Sequence, residues 1–320
     1  MKNTDRSHRK KISIVIPLYN EQEAIEIFYL TLSRSLKELP GYDFEILCVN
    51  DGSTDQTLEK LKELIQSDSR VIALELSRNF GKEIALTAGL DAASGDAAIP
   101  IDADLQDPPE LIGRLIAEWE KGFEVVLAQR SDRSSDSVLK RKTAQLFYKT
   151  HNWVSQVKIP ENVGDFRLMD RKVLEALKQL PEQHRFMKGL FSWVGYRTTS
   201  VHYQRQPRAA GKSKFSGWRL WNFALEGITS FSISPLRFWT YLGLLGALLS
   251  LAYSAIIIIK TALFGADVPG YPSLFVAITF FGSLQLMGIG MLGEYIGRIY
   301  MESKRRPLYF IRERHQNNKE

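Results

Sequence analysis

Residues 97–109 read "AAIPIDADLQDPP". A short apolar run ends in two aspartates one residue apart, Asp102 and Asp104, with a third acid and two prolines behind them. Like charges set side by side where a strand stops repel each other unless a cation lies between them. The stretch 95–104, "GDAAIPIDAD", is the fourth strand-like run of a series. "KISIVIPLY" (11–19), "FEILCVND" (44–51) and "RVIALELS" (70–77) precede it, and "FEVVLAQR" (123–130) follows. The segments between them, 21–39, 54–66, 82–93 and 108–122, carry apolar residues at helical spacing. This alternation predicts an α/β fold of βαβ units, with a mostly parallel sheet covered by helices on both faces. Ligands of such sheets bind beyond the carboxyl ends of the strands. "NDGSTD" (50–55) and "DADLQD" (102–107) both fall at strand carboxyl ends, so two acidic clusters remote in sequence are expected at one rim.

The 320 residues are 44% apolar and 24% charged, with a mean hydropathy of −0.17, values of an ordinary folded chain. That average conceals an uneven distribution, taken up below. A net charge of +6 and a pI near 9.2 point to an anionic partner: nucleic acid, anionic lipid or a phosphorylated substrate. The single cysteine, Cys48, excludes a disulfide framework and a thiolate zinc site, and reads as a buried strand residue. His8, His151, His184, His202 and His315 fall in no metal-binding spacing and read as structural or surface residues. The basic start followed by 12–19 is too short an apolar run for a signal peptide, contains Pro17 and lacks a cleavage site, so a first strand is expected.

After about residue 235 the composition changes. Residues 238–259 and 273–293 contain no charge, and each run is long enough, at about 1.5 Å per residue, to cross a hydrocarbon core of roughly 30 Å. A transmembrane hairpin is expected, joined by "KTALFGADVPGYP" (260–272). Arg237 on one flank, and Arg298, Lys304, Arg305, Arg306, Arg312 and Arg314 on the other, put both ends in the cytoplasm by the positive-inside tendency. The segment 213–236, with Trp218, Trp221, Phe223, Leu225 and Ile228, reads as an interfacial amphipathic helix. The polar residues after Ile311 predict a disordered tail. Gly288, Gly290 and Gly293 match GxGxxG, but they follow an apolar span rather than a strand, so they predict close helix approach and no nucleotide site. Glu294 and Arg298, one turn apart, are expected to pair.

Asp102 and Asp104, two apart on a strand, are expected to aim at one point. Hard oxygen ligands of this kind suit Mg²⁺ or Mn²⁺ held together with substrate phosphates. The metal would act as a Lewis acid on a leaving diphosphate.

Five motifs in order, "ISIVIPLYNE" (12–21), "VNDGSTDQT" (49–57), "RNFGKEIALTAGL" (78–90), "DADLQDPPE" (102–110) and "GDFRLM" (164–169), resemble family 2 glycosyltransferases with the GT-A fold. With the C-terminal "MGIGMLGEYIGRIYMESKRRPLYFI" (287–311), the chain is similar to polyprenyl-phosphate hexosyltransferases, the bacterial bactoprenol (undecaprenyl-phosphate) glucosyltransferases above all, and is related to dolichol-phosphate mannose synthases. The resemblance implies that Pro17, Tyr19, Glu21 and Asp51 hold the nucleotide, and that Asp102 and Asp104 hold metal and diphosphate with Gln106 close behind. Asn50 stands where the family usually has an aspartate. The resemblance places Arg130 and Arg141 near the acceptor phosphate, and Arg208, Ser213 and Lys214 in a loop over the donor diphosphate. A lipid phosphate is already an anion and needs no general base, only cations to hold two negative groups together, which suits this subgroup. The QxxRW motif of processive polysaccharide synthases is absent. Asp165 in "GDFRLM" is a candidate base or orienting residue, or a structural acid paired with Arg167.

The expected activity is inverting transfer of a hexose, glucose from UDP-glucose first, to undecaprenyl phosphate, with Asp104, Arg130 and Asp165 as catalytic candidates. The product would be a lipid-linked sugar for surface polysaccharide. GDP-mannose or an aminosugar donor, a sugar-hydroxyl acceptor, and a nucleotide-sugar-binding membrane scaffold or flipping subunit are the rivals. The expected organisation is a cytoplasmic GT-A domain (1–212), the interfacial helix (213–236), the hairpin (237–297) and a basic tail (298–320), in the bacterial inner membrane. The expected partners are the nucleotide sugar, the lipid phosphate, membrane lipid and further copies in a homo-oligomer, with no nucleic acid.

Overall fold

The computed structural model describes residues 9–131, 160, 162–183, 185–204, 234–264 and 270–317. Arg141, Arg208, Ser213 and Lys214, and all but the last residues of the expected interfacial helix, lie outside the described residues.

Among the described residues, eight strands form one sheet in the order β7-β5-β6-β4-β1-β2-β3-β8. β1 (Lys11–Leu18), β2 (Asp43–Asn50), β3 (Val71–Leu76) and β4 (Ala97–Pro100) pair in parallel, and β5 (Val125–Arg130) pairs in parallel with β7 (Thr198–Tyr203). β6 (Val163–Asp170) and β8 (Ile311–Gln316) are antiparallel to their neighbours. The expected α/β class with a mostly parallel sheet is what the chain adopts.

Helices α1 (Ile25–Lys37), α2 (Thr57–Ser67) and α4 (Ile112–Glu120) cover one face, burying Phe28, Leu32, Leu61, Ile65, Leu115 and Trp119 in one cluster with Ile14, Ile46, Val126 and Phe166 of the sheet. α3 (Lys82–Ala92), α5 (Arg171–Lys178) and α6 (Met187–Trp193) cover the other, with Leu86, Leu90, Leu174, Leu177 and Leu190 against Val15, Leu47 and Leu127. Full burial of one such side chain stabilises by about 1.5–3 kcal/mol, so these two faces fix the frame that carries the loops. Cys48 is buried in β2, as expected, and burial pushes its thiol up to about 12.

Two expectations need correction, and one strand was not foreseen. β4 is four residues long, not ten. Ile101 N still donates to Val15 O (2.9 Å), but Leu105 turns to a positive φ of 57° and Pro108 and Pro109 follow, so Asp102 and Asp104 lie in a turn, where strand alternation does not orient them. The stretch holding "GDFRLM" is itself a strand, β6, inserted antiparallel between β4 and β5. The polar tail after Ile311 is ordered as β8 along the open edge of β3. The polar composition there predicts disorder, yet "IRERHQ" places Arg312 and His315 against the buried Glu75 of β3.

At the hairpin's place stand two long helices, α7 (Ser234–Phe264) and α8 (Tyr271–Ser303). Among the described residues no helix is long and apolar enough to cross a membrane, so the expected transmembrane pair is met only as two helices. A Cβ on Gly288 would lie 3.7 Å from the Trp239 ring, so this glycine of α8 does face α7 at close range. Glu294 and Arg298 pair at 3.0 Å as expected. α8 is tied to the sheet domain at its end: Glu302 accepts from Gln183 N at 2.8 Å, and Tyr309 donates to Asp91 at 3.0 Å.

Candidate active site at the carboxyl ends of the strands

The strand order changes direction at β1, which has β2 on one side and β4 on the other. A crevice at such a switch point is where open α/β sheets take ligands. The loops after β1, β2 and β3 are stitched together there. Asn20 N donates to Ser53 Oγ (3.0 Å), Thr54 N to Asn20 Oδ1 (2.8 Å) and Glu21 N to Thr57 Oγ1 (3.0 Å). Gly52 has φ +64°, and a Cβ on it would stand 2.6 Å from the backbone of Arg78 and Asn79. Only glycine allows both that conformation and that approach.

Asp51, at the end of β2, is 2% exposed. Its carboxylate accepts from Phe80 N (2.7 Å) and Gly81 N (2.9 Å), shaping the loop that enters α3. Burial raises its pKa above the ordinary value, only partly offset by these amides and by Arg78. Asn50 is buried beside it and accepts from Ser53 N (3.1 Å), so the amide serves the turn. Pro17 sits within β1, and Tyr19, 39% exposed, and Glu21 follow at the rim.

The loop built on Asp51 delivers Lys82, the first residue of α3. Its ammonium lies 2.8 Å from Asp102 and 2.9 Å from Asp165. Because β6 runs against β4 and β5, its first residues return to the rim where those strands end, and this brings Asp165 to Asp102. Desolvation by the surrounding protein would lower the Lys82 ammonium, although its side chain is 46% exposed, but Asp102 and Asp165 hold it well above its ordinary value. Burial likewise opposes ionisation of Asp165, and Lys82 and Lys188 overcome it, keeping the carboxyl far below the usual range. Glu83 is pushed up to about 8 by burial and by Asp165. Arg167 acts on Asp165 at longer range, while its guanidinium donates to Gly164 O (2.7 Å) and stacks on Phe191 at 4.2 Å. Thus Asp165, for which the sequence leaves pairing with Arg167 as one of the readings, is held directly by Lys82.

Asp104 accepts from Gln106 N at 3.1 Å, which caps the turn. Arg130 ends β5, and a Cβ on Gly164 would lie 3.7 Å from its Nη2, so it borders the residue before Asp165. It also bonds Tyr203, whose hydroxyl donates to the buried Asp107. Lys82, Lys188, Glu83 and the Tyr203–Asp107 pair were not singled out from sequence. Lys82 stands in the quoted "RNFGKEIALTAGL", but nothing in its spacing shows that its ammonium reaches the turn after β4 and the start of β6.

The residues fit a divalent cation. Asp102 and Asp104 are hard oxygen donors, a positive group already lies against Asp102, and Asp165 Oδ1 is buried with no hydrogen-bond partner among the described residues. Glu75, Glu313 and His315 also cluster, within 4.8 Å of one another, but at the β3–β8 edge, where Arg312 already lies 2.9 Å from Glu75. His315, expected to be a structural or surface residue, lies 3.4 Å from Glu75 there.

The sequence pattern of "Glycosyl transferase family 2" matches residues 13–178. The chain belongs to this family. Membership makes it a glycosyltransferase with a GT-A-like α/β domain. It is 59% identical to the SfII prophage-derived bactoprenol glucosyl transferase of Shigella flexneri over 308 residues, 96% of this chain and 99% of the relative. It is 58% identical to a prophage bactoprenol glucosyl transferase homolog of Escherichia coli K12, covering 94% of this chain and 98% of that one. Among solved structures, the mannosyltransferase PcManGT from Pyrobaculum calidifontis, in complex with GDP-Man and Mn²⁺, is 15% identical. The match covers 92% of this chain and 88% of that one, with a TM-score of 0.49.

Proposed function

We propose that this glycosyltransferase moves a hexose, glucose first, from a nucleoside-diphosphate sugar to undecaprenyl phosphate, the lipid its relatives' names call bactoprenol. The observation that carries the reading is the meeting of Asp102, Lys82 and Asp165 at the switch-point rim, beside the stitched loops. Pro17, Tyr19, Glu21, Asp51 and Gln106 surround the nucleotide, Asp51 by fixing the 80–81 turn. Asp102 and Asp104 would hold Mg²⁺ or Mn²⁺, which when bound supplies Lewis-acid stabilisation to the departing diphosphate. Asp165 orients the cationic side chains around it. Arg130, with Arg141, Arg208, Ser213 and Lys214, holds the acceptor phosphate and donor diphosphate together for in-line attack.

In this reading α7 and α8 lie in the bacterial inner membrane, with the sheet domain and both ends in the cytoplasm. The charge-free runs 238–259 and 273–293 fall inside the two helices. Leu245, Leu249, Ile256, Ile278, Leu286 and Ile289 on them are exposed, a surface that lipid would cover. The acceptor's polyprenyl chain cannot leave the bilayer, which gives the helices their purpose. Further copies of the chain are the proposed assembly.

The test is purified protein in detergent with undecaprenyl phosphate, Mg²⁺ or Mn²⁺ and a panel of labelled UDP- and GDP-sugars, scored for label entering the organic phase. Label from one donor, lost with EDTA, is expected. Intact nucleotide-sugar binding with no lipid-soluble product from any donor would overturn the lipid acceptor.

A further inference from the structure

Metal ions and ammonium groups compete for the same carboxylate oxygens. Lys82 Nζ lies 2.8 Å from Asp102 Oδ2, on the residue that the proposed metal would use, and 2.9 Å from Asp165 Oδ2. The lysine is placed there by construction: Asp51 fixes the turn at Phe80 and Gly81, and Lys82 follows as the first residue of α3. Without the ammonium, Asp102 and Asp165 would face each other as two like charges at a partly buried site. A divalent cation approaching Asp102 must therefore either displace Lys82 or bind beside its positive charge. A nucleoside diphosphate bound at this rim would change that balance, because its phosphate oxygens would offer the ammonium a new partner.

We propose that Lys82 is a built-in counter-ion that competes with the divalent cation for Asp102, so that divalent cation and nucleotide diphosphate bind together. Metal affinity is low while Lys82 holds Asp102 and rises when the diphosphate draws the ammonium away. Lys82 thereby couples the two ligands as a positioning residue, and a sugar nucleotide is engaged only with its metal. The inference rests on the metal reading given above.

The experiment measures Mn²⁺ binding to the full chain in detergent, by the electron paramagnetic resonance signal of free Mn²⁺. Wild type, Lys82→Met and Lys82→Arg are compared with and without UDP, with GDP as the alternative diphosphate. Without nucleotide, Lys82→Met should bind Mn²⁺ about tenfold more tightly or better, since one like charge beside the ion is gone. Lys82→Arg, which keeps the charge, should stay near wild type, and the diphosphate should narrow the gap between wild type and Lys82→Met. Nucleotide-free Mn²⁺ affinity of Lys82→Met equal to or weaker than wild type would overturn the counter-ion role while leaving the metal site standing. No Mn²⁺ binding by wild type even with the diphosphates would remove the metal reading and this inference with it. If Lys82→Met is folded only when Mn²⁺ is present, the ion has taken over the lysine's task, in support; if it is unfolded with and without Mn²⁺, the inference falls.

Discussion

Asp51 and Gly81, thirty positions apart, are joined by a hydrogen bond of 2.9 Å from the Gly81 amide to the Asp51 carboxylate. The neighbouring amide of Phe80 donates to the other oxygen at 2.7 Å. The acid of "NDGS" thus acts on the start of α3, and through it on Lys82. Asp51→Ala removes two charge-assisted bonds and should cost about 2–4 kcal/mol. Asp51→Asn should also destabilise, because its amide group would set a donor against one of the two backbone donors. Thermal melting reads both. UDP binding should weaken in Asp51→Asn and stay near wild type in a surface control such as Glu63→Gln. Wild-type melting and UDP affinity in Asp51→Asn would remove this role.

The C-terminal strand offers a contrast between two magnitudes. Arg312 lies 2.9 Å from Glu75, but its side chain is 62% exposed, so the pair is worth under about 1 kcal/mol and Arg312→Ala should barely move the melting temperature. Deleting 311–320 is different. It strips β3 of its antiparallel partner and uncovers an edge that holds the buried Glu75. The truncated protein should melt several degrees lower and aggregate on size-exclusion chromatography. Melting at the wild-type temperature would show that the strand is dispensable.

Far from the site, Glu45 of β2 is buried and held by Lys11 (2.8 Å), Ser13 and Ser94. Burial opposes its charge, but these partners bring it down from its ordinary 4.5 to about 2. A depressed folded-state value means stability that is present above about 4.5 and lost as pH falls towards 2. Glu45→Gln should therefore cost on the order of 2 kcal/mol at pH 7, and the difference from wild type should shrink as pH approaches 3. Urea unfolding at pH 7, 5 and 3 checks it, and a difference constant across that range would contradict the assignment.

The βαβ series from Lys11 to Arg130 was legible because each strand there is a local apolar run and each helix has its own periodicity. The antiparallel strands were not. β6 carries Gly164, Asp165 and Arg167 among its apolar residues, so it reads as a motif, and its place between β4 and β5 is decided by long-range pairing. β8 reads as a charged tail because its charges answer a buried glutamate on another strand. At the site, Asp102 and Asp104 were found by their spacing, although the stated reason, alternation on a strand, fails once β4 stops at Pro100. Lys82 could not be found that way. Its partners lie 20 and 83 positions along the chain, and only the folded rim brings them to one ammonium.

The two aspartates of "DADLQD" should respond differently to removal. Asp102 is tied to Lys82, so its loss disturbs a charge network and confounds activity with stability. Asp104 accepts from Gln106 N in a half-buried turn, away from the Lys82 ion pairs, so Asp104→Ala should melt within a few degrees of wild type. If Asp104 holds the cation that stabilises the leaving diphosphate, the same substitution should lower transfer of labelled sugar to undecaprenyl phosphate by at least about a hundredfold. Raising Mn²⁺ should restore little of it, because the missing oxygen is part of the site. A folded Asp104→Ala protein with activity near wild type would sink the assignment of Asp104 to the metal.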